Sequence, residues 1–338
     1  MSTGQFSRYA VGLALVTLWL NLSAMGDSLE YPCYPLPGDP FLDGSAEEDV
    51  WKNIPEATGF HILGAETNFA LVKQSAFKAG WTKDNLYLFI HCDEPTPDKM
   101  WDKGKDNGNL WEDDGVELFF IPKGREDYYQ LIANSAGSRW NGQITGQMQL
   151  WDWQTKCIKT TNSWSLEVKI PFSIFSNTPV NGATWLFNIA RNMTSEPKIE
   201  RYTCWSPLKD GFADVGRFRT LVFKDSAGAE QDAKNQEGTL NARYKQFLQE
   251  KLAQVAKDSG QFRTTYKEQI NQLMADSEFQ KDAGTIKELL DRIDALSVES
   301  KPDFNKIAQT ITEYSGLNLD EKVEDLYYHM LLAKLCRD

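Results

Sequence analysis

The chain has 338 residues, a length that suggests about two domains and leaves room for a sizeable core. Its 48 acidic and 36 basic side chains give a net charge of -12. That argues against nucleic acid or an anionic membrane surface as a partner, because both need clustered Lys and Arg.

The N-terminus reads as a secretory signal over residues 1–26. Arg8 supplies the basic start, Ala10 to Leu22 the apolar run, and Ser23, Ala24 and Gly26 the small residues near a cleavage point. The run is shorter than the roughly 20 residues of a membrane span. A secreted or periplasmic protein is predicted, with no span left after cleavage. An uncleaved anchor is the alternative. Five cysteines (Cys33, Cys92, Cys157, Cys204 and Cys336) form no complete disulfide framework. In an exported chain, Cys92 with Cys204 is the first pair to test; buried free thiols are the other reading.

A proline-rich leader, Tyr31 to Pro40, favours an extended path over a central strand. Period-two alternation then predicts strands at Leu86–Cys92, Val116–Ile121, Tyr128–Asn134, Trp164–Ile170, Trp185–Asn192 and Phe218–Phe223. The predicted fold is mainly β. It is an antiparallel sandwich of immunoglobulin or jelly-roll type over residues 29–224, followed by a C-terminal α-helical extension. Residues 225–239 (through DSAGAEQDAKNQEG) are small and polar, the composition of a linker. From residue 240 to 338 apolar residues recur every three to four positions, which predicts four or five short helices punctuated by Gly260, Gly284, Pro302 and Gly316. That extension carries no recognisable motif; it caps the sandwich or docks an unknown protein.

Ordered pieces of the β region carry a resemblance. They are Asp43-Gly44 with Trp51, Ala79 to Phe89 (AGWTKDNLYLF), Trp111 to Pro122 (WEDDGVELFFIP), Tyr128 to Asn134, Trp164 to Phe172, Trp185 to Arg191, and Trp205 to Phe218 (WSPLKDGFADVGRF). Together they resemble the family 9 carbohydrate-binding modules and the wider DOMON-like sandwiches. The resemblance implies a non-catalytic domain that binds oligo- or polysaccharide and rides with polysaccharide-degrading enzymes. It also implies a clamp in which one tryptophan precedes a strand carboxylate by six positions. Trp111 and Glu117 have that spacing, and Trp205 is the match for the second tryptophan. Ile132 stands where family members place a sugar-contacting arginine, and Gln130 and Asn134 share its face. Asn188, Asn192 and Arg191 lie in another matching strand, with the asparagines alternating away from Arg191. Some members hold structural calcium, for which Asp43 or the Asp113–Asp114 pair supplies carboxylates; no other cofactor is required.

The chemistry fits a sugar. A pyranose has C–H-rich faces that suit an indole, and hydroxyl edges that suit a carboxylate acceptor. Bland readings stand beside this. Trp51, Trp81, Trp164 and Trp185 are core candidates. Glu117 is an alternative partner for Arg191 in a buried ion pair. The aspartates are otherwise a solvated turn. Trp101, Trp140, Trp151 and Trp153 read as loop residues that widen an aromatic surface or cover an edge. Asn192-Met193-Thr194 fits a glycosylation sequon. Two rival functions remain. A glycoside hydrolase would pair Glu117 with Asp113 or Asp114 across the scissile bond. A haem-binding electron carrier would draw axial ligands from His61, His91, Met100, Met148 and Met193.

Overall fold

The structure is a computed structural model and describes residues 30–143, 151–194, 201–225 and 229–337. The signal expected over residues 1–26 lies outside the described residues. Among those described, no helix is long and apolar enough to cross a membrane.

Among the described residues of the first unit there are twelve strands: β1 (Glu30–Pro35), β2 (His61–Ile62), β3 (Ser75–Trp81), β4 (Asn85–Asp93), β5 (Gly115–Ile121), β6 (Tyr129–Asn134), β7 (Arg139–Gln143), β8 (Gln154–Lys159), β9 (Ser163–Pro171), β10 (Thr184–Asn192), β11 (Tyr202–Cys204) and β12 (Arg219–Phe223). They pair in the order β7-β6-β5-β10-β12-β1-β3-β4-β9-β8, with β11 joining β10 to β2. The sheet folds over on itself at β1. Glu30 to Cys33 pair with β12, whereas Tyr34 and Pro35 pair with β3. Both pairings are parallel, so the sheet is mixed where an antiparallel sandwich was expected. The proline leader is thus strand as far as Pro35, extended as expected but paired within the sheet. Each part of β1 has a neighbour on one side only, an edge-like setting that tolerates Pro32 and Pro35.

Alternation explains the layers. Leu86, Leu88 and Ile90 of β4 face Val116, Leu118 and Phe120 of β5 within one core, which also holds Trp164 and Trp185. The opposite face of β4 is apolar too, because Tyr87 packs with Trp51, Ile54 and Leu36 of the covering segment. On the far side of β5, Phe119 and Ile121 are roofed by Leu208 and Phe218.

The segment expected as a linker is largely helix, α1 (Ala229–Leu240). It belongs to the first unit, which comprises the chain up to Ala70 and Gln74–Arg243. Ala233 joins the Trp51 cluster and Leu240 the main core. Asn241 accepts from the Thr58 N–H at 2.9 Å and donates to the Glu56 carbonyl at 3.0 Å.

The second unit is Leu71–Lys73 with Tyr244–Asp338. Its helices are α2 (Ala242–Thr265, beginning in the first unit), α3 (Lys267–Ala275), α4 (Gln280–Ser297), α5 (Phe304–Gly316) and α6 (Leu319–Arg337). Leu252, Leu273, Ile286, Leu290, Ile293, Ile311 and Val323 are buried. Gly260 and Gly284 do not break their helices; a solvent-facing glycine costs about 1 kcal/mol and a proline about 3 kcal/mol. Pro302 does mark a boundary, where Asp303 caps α5 by accepting from the Asn305 and Lys306 N–H groups.

Candidate functional site

The outward face of β5 carries Glu117. Cross-strand register sets Ile132 of β6 and Ala190 of β10 beside it, and Trp140 of β7 beyond Ile132. The diagonal neighbours Gln130 and Asn192 then reach its carboxylate. Gln130 Nε2 donates to one oxygen at 2.6 Å and Asn192 Nδ2 to the other at 2.7 Å. Glu117 is only 4% exposed, and burial pushes its carboxyl up while the two amides partly offset the shift. Tyr128, partly buried against Phe119 at 5.7 Å, lies close enough that the Glu117 charge also raises its phenol, after burial.

Next to this polar floor stands an aromatic shelf. Trp111 sits in a single 3-10 turn, Leu110–Glu112, anchored by fully buried Leu110. Leu110, Ile132 and Trp140 form one small apolar cluster. The Trp111 ring meets Trp140 edge to face, 5.7 Å between centres and 85° between planes, yet stays 44% exposed. Trp101 is also open, at 53%.

The shelf is held by groups that sequence reasoning assigned elsewhere. Asp113 accepts from Gly104 N–H at 2.8 Å and from Asn134 Nδ2 at 2.7 Å. Asp114 accepts from Trp101 N–H at 2.6 Å. Asn134 Oδ1 accepts from the Ala136 and Ser138 N–H groups. Asn134 is therefore a fully buried loop fastener and not a free ligand contact, and the two aspartates are buried and bonded, not a solvated turn. Gly115 permits the close strand approach here, since a Cβ would lie 2.6 Å from the Ala133 carbonyl.

Residues 42–225, more than half of the chain, match the family described as carbohydrate family 9 binding domain-like. The chain belongs to that family. Among curated proteins none matches it. The solved structures it resembles include a proposed carbohydrate-binding protein of Bacteroides uniformis, at 18% identity and TM-score 0.49, covering 58% of this chain and 99% of that one. Two structures of a family 9 carbohydrate-binding module from Caldicellulosiruptor kristjanssonii are similar at 18% identity. One is in complex with cellotriose (TM-score 0.43, covering 58% of this chain and 94% of that one). The other is in complex with glucose (TM-score 0.42, covering 57% and 96%).

Within this family 9 module, several expected site residues fall elsewhere. Trp205 is 0% exposed. It lies in the core against Phe77 at 5.0 Å and Phe187 at 5.9 Å, with the Arg219 guanidinium 4.7 Å from its ring centre. Cys204 belongs to the outer cluster, so its neighbour turns inward, and the Trp205 N–H still bonds the Ile189 carbonyl of β10. It offers no open plate, and the exposed Trp111 is instead backed by Trp140, which was read as a loop residue. Period-two counting from Ile132 could not find Trp140, because the pairing is across strands.

Arg191 is corrected as well. It points into the sandwich, opposite to Asn192, and bonds the Asp93 carbonyl at 2.8 Å and Glu94 at 3.3 Å. Its ion-pair partner is Glu94, not Glu117. Asn192 is buried with its side-chain nitrogen on Glu117, which removes it as a site of N-glycosylation.

Asp43 does not build a cation cage. Its carboxylate accepts from Ser45 N–H at 2.8 Å, and the neighbouring carboxylate, Glu167, already accepts from the Asp43 and Gly44 N–H groups and the Trp51 indole. One Asp43 oxygen and both Glu167 oxygens are thus already held by N–H donors. Among the described residues no three His, Cys, Asp or Glu side chains gather for a metal. Cys92 lies in the core and Cys204 in the outer cluster, so they do not pair; all five cysteines are free. His61 stacks near Phe69 on β2, held down to about 3 by burial and Arg219, while His91 on β4 meets Asp93. These histidines sit on different halves of the sheet and form no axial pair, and Met148 lies outside the described residues.

Proposed function

We propose that the module binds oligo- or polysaccharide without catalysis, by laying a pyranose against the Trp111 indole with Glu117, Gln130 and Asn192 reading its hydroxyls. The observation that carries this reading is an open indole braced by Trp140, which lies across Ile132 from a buried carboxylate held by two amides. Such a site works as a one-sided shelf and needs no second tryptophan plate. Export, and service to a separate polysaccharide-degrading enzyme, are part of the same reading, with the helical unit as the part that docks a protein. A hydrolase role is less favoured, because Asp113 and Asp114 are engaged in fastening the loop.

Calorimetric titration of the full chain with cellotriose tests the shelf. Trp111→Ala should weaken binding by ~1–3 kcal/mol, the usual loss for an aromatic anchor, with an unchanged melting curve. Equal affinity in the variant removes Trp111 from the site.

A further inference from the structure

We propose that the Trp111–Glu117 site prefers sugars bearing a free amine over their neutral and acidic counterparts, an inference that rests on the sugar-binding reading above. Glu117 is a carboxylate set into a sheet face, and among the described residues no cation is bonded to it. Its hydrogen-bond partners are the neutral amides of Gln130 and Asn192. Arg191, next in sequence to Asn192, faces the other way and is paired with Glu94. The residue beside Glu117 on β6 is the apolar Ile132.

The carboxylate also fixes the amides. It can only accept, so both side chains must turn their NH2 groups towards it and their carbonyl oxygens away. Of the two amides only Gln130 is partly open, and it is left presenting its oxygen, an acceptor, in front of the Glu117 carboxylate. An ammonium group brings three donors and the missing positive charge. A uronate would bring a second negative charge and is disfavoured. The open indole adds to the preference, because the face of tryptophan attracts cations. Glu117, Gln130 and Trp111 thereby act together on one chemical feature of the sugar.

Three trisaccharides of one β-1,4 linkage, differing only at C2, provide the probe: the glucosamine trimer, cellotriose and the N-acetylglucosamine trimer. They are titrated calorimetrically into the full chain at several pH values from mildly acidic to neutral, because the amine is protonated towards acid whereas burial raises the Glu117 carboxyl and its charge is gained as pH climbs. The glucosamine trimer should bind about tenfold tighter than cellotriose, the gap between a charged and a neutral hydrogen bond. The N-acetylated trimer should show no such gain. The net charge of -12 attracts any cation, so the ratio is also measured in Glu117→Gln and at raised salt. The local preference should survive salt in the wild type and fall to near parity in the variant, whose fold is checked by its melting curve. The wild-type comparison stands without the variant should it not fold. Equal binding of glucosamine trimer and cellotriose, or a preference retained in folded Glu117→Gln, overturns the proposal and leaves sugar binding intact. Binding of none of the three overturns both.

Discussion

Glu117 is a carboxylate whose charged form the fold disfavours. Burial raises its folded value above the ordinary one, and the Gln130 and Asn192 amides only partly reverse this. The sign follows from linkage. A raised acid contributes its full stability below the unfolded value, near ~4.3, and loses it as pH climbs through the folded value. Urea unfolding of wild type and Glu117→Gln, followed from acid to neutral pH, should therefore show the wild type losing ground to the variant as pH rises. The lost acceptor on Glu117→Gln sets a constant offset, so the slope is the readout; a pH-independent gap contradicts it. The spacing of Trp111 and Glu117 was legible in the sequence because both lie in one short stretch leading into β5. Trp205 was not, because a polar run such as WSPLKDG looks like loop while its first residue still pairs with β10 and turns into the core. Arg191 shows the same limit from the other side: alternation placed it opposite Asn192, but only the return of β4 near Glu94 reveals what it pairs with.

Strands whose core residues alternate write their pattern locally, and β4, β5, β9 and β10 fall where alternation puts them. The elements that departed from expectation are those decided by distant contacts. β1 pairs with strands 45 and more residues away, and proline content alone pointed to an unpaired leader. The α1 segment is rich in Ala, Glu and Gln, which suit a helix as well as a linker, and burial of Ala233 and Leu240 decides between them. This gives a test at the element scale. A chain ending at Arg243 keeps α1 and Asn241, whereas one ending at Asp225 exposes the sites of Leu240 and Ala233 and strands the Thr58 N–H and Glu56 carbonyl. Burying one leucine and making two hydrogen bonds together contribute about 3 kcal/mol or more. The shorter chain should have a clearly lower unfolding midpoint in urea by tryptophan fluorescence, and matching midpoints would show α1 to be dispensable.

Across the whole molecule the tryptophans provide a built-in reporter. All eleven precede residue 206, so none lies in the second unit, whose helices dominate the far-ultraviolet dichroism. Each unit has its own buried set of apolar residues, and a cavity cut in one is felt first by the side chains that line it. Ile293 is fully buried on α4 among the apolar residues of the helical unit. Ile293→Ala should cost ~2–5 kcal/mol, the range for removing a large aliphatic core side chain. That loss should appear as an earlier transition in the dichroism at 222 nm, while the midpoint read by tryptophan fluorescence and the affinity for cellotriose stay where they are. Two probes that part company in this way mean that a single unfolding free energy does not describe the chain. If fluorescence and dichroism instead shift together, the sandwich and the helices unfold as one cooperative body, and sugar binding must then be measured against the stability of both.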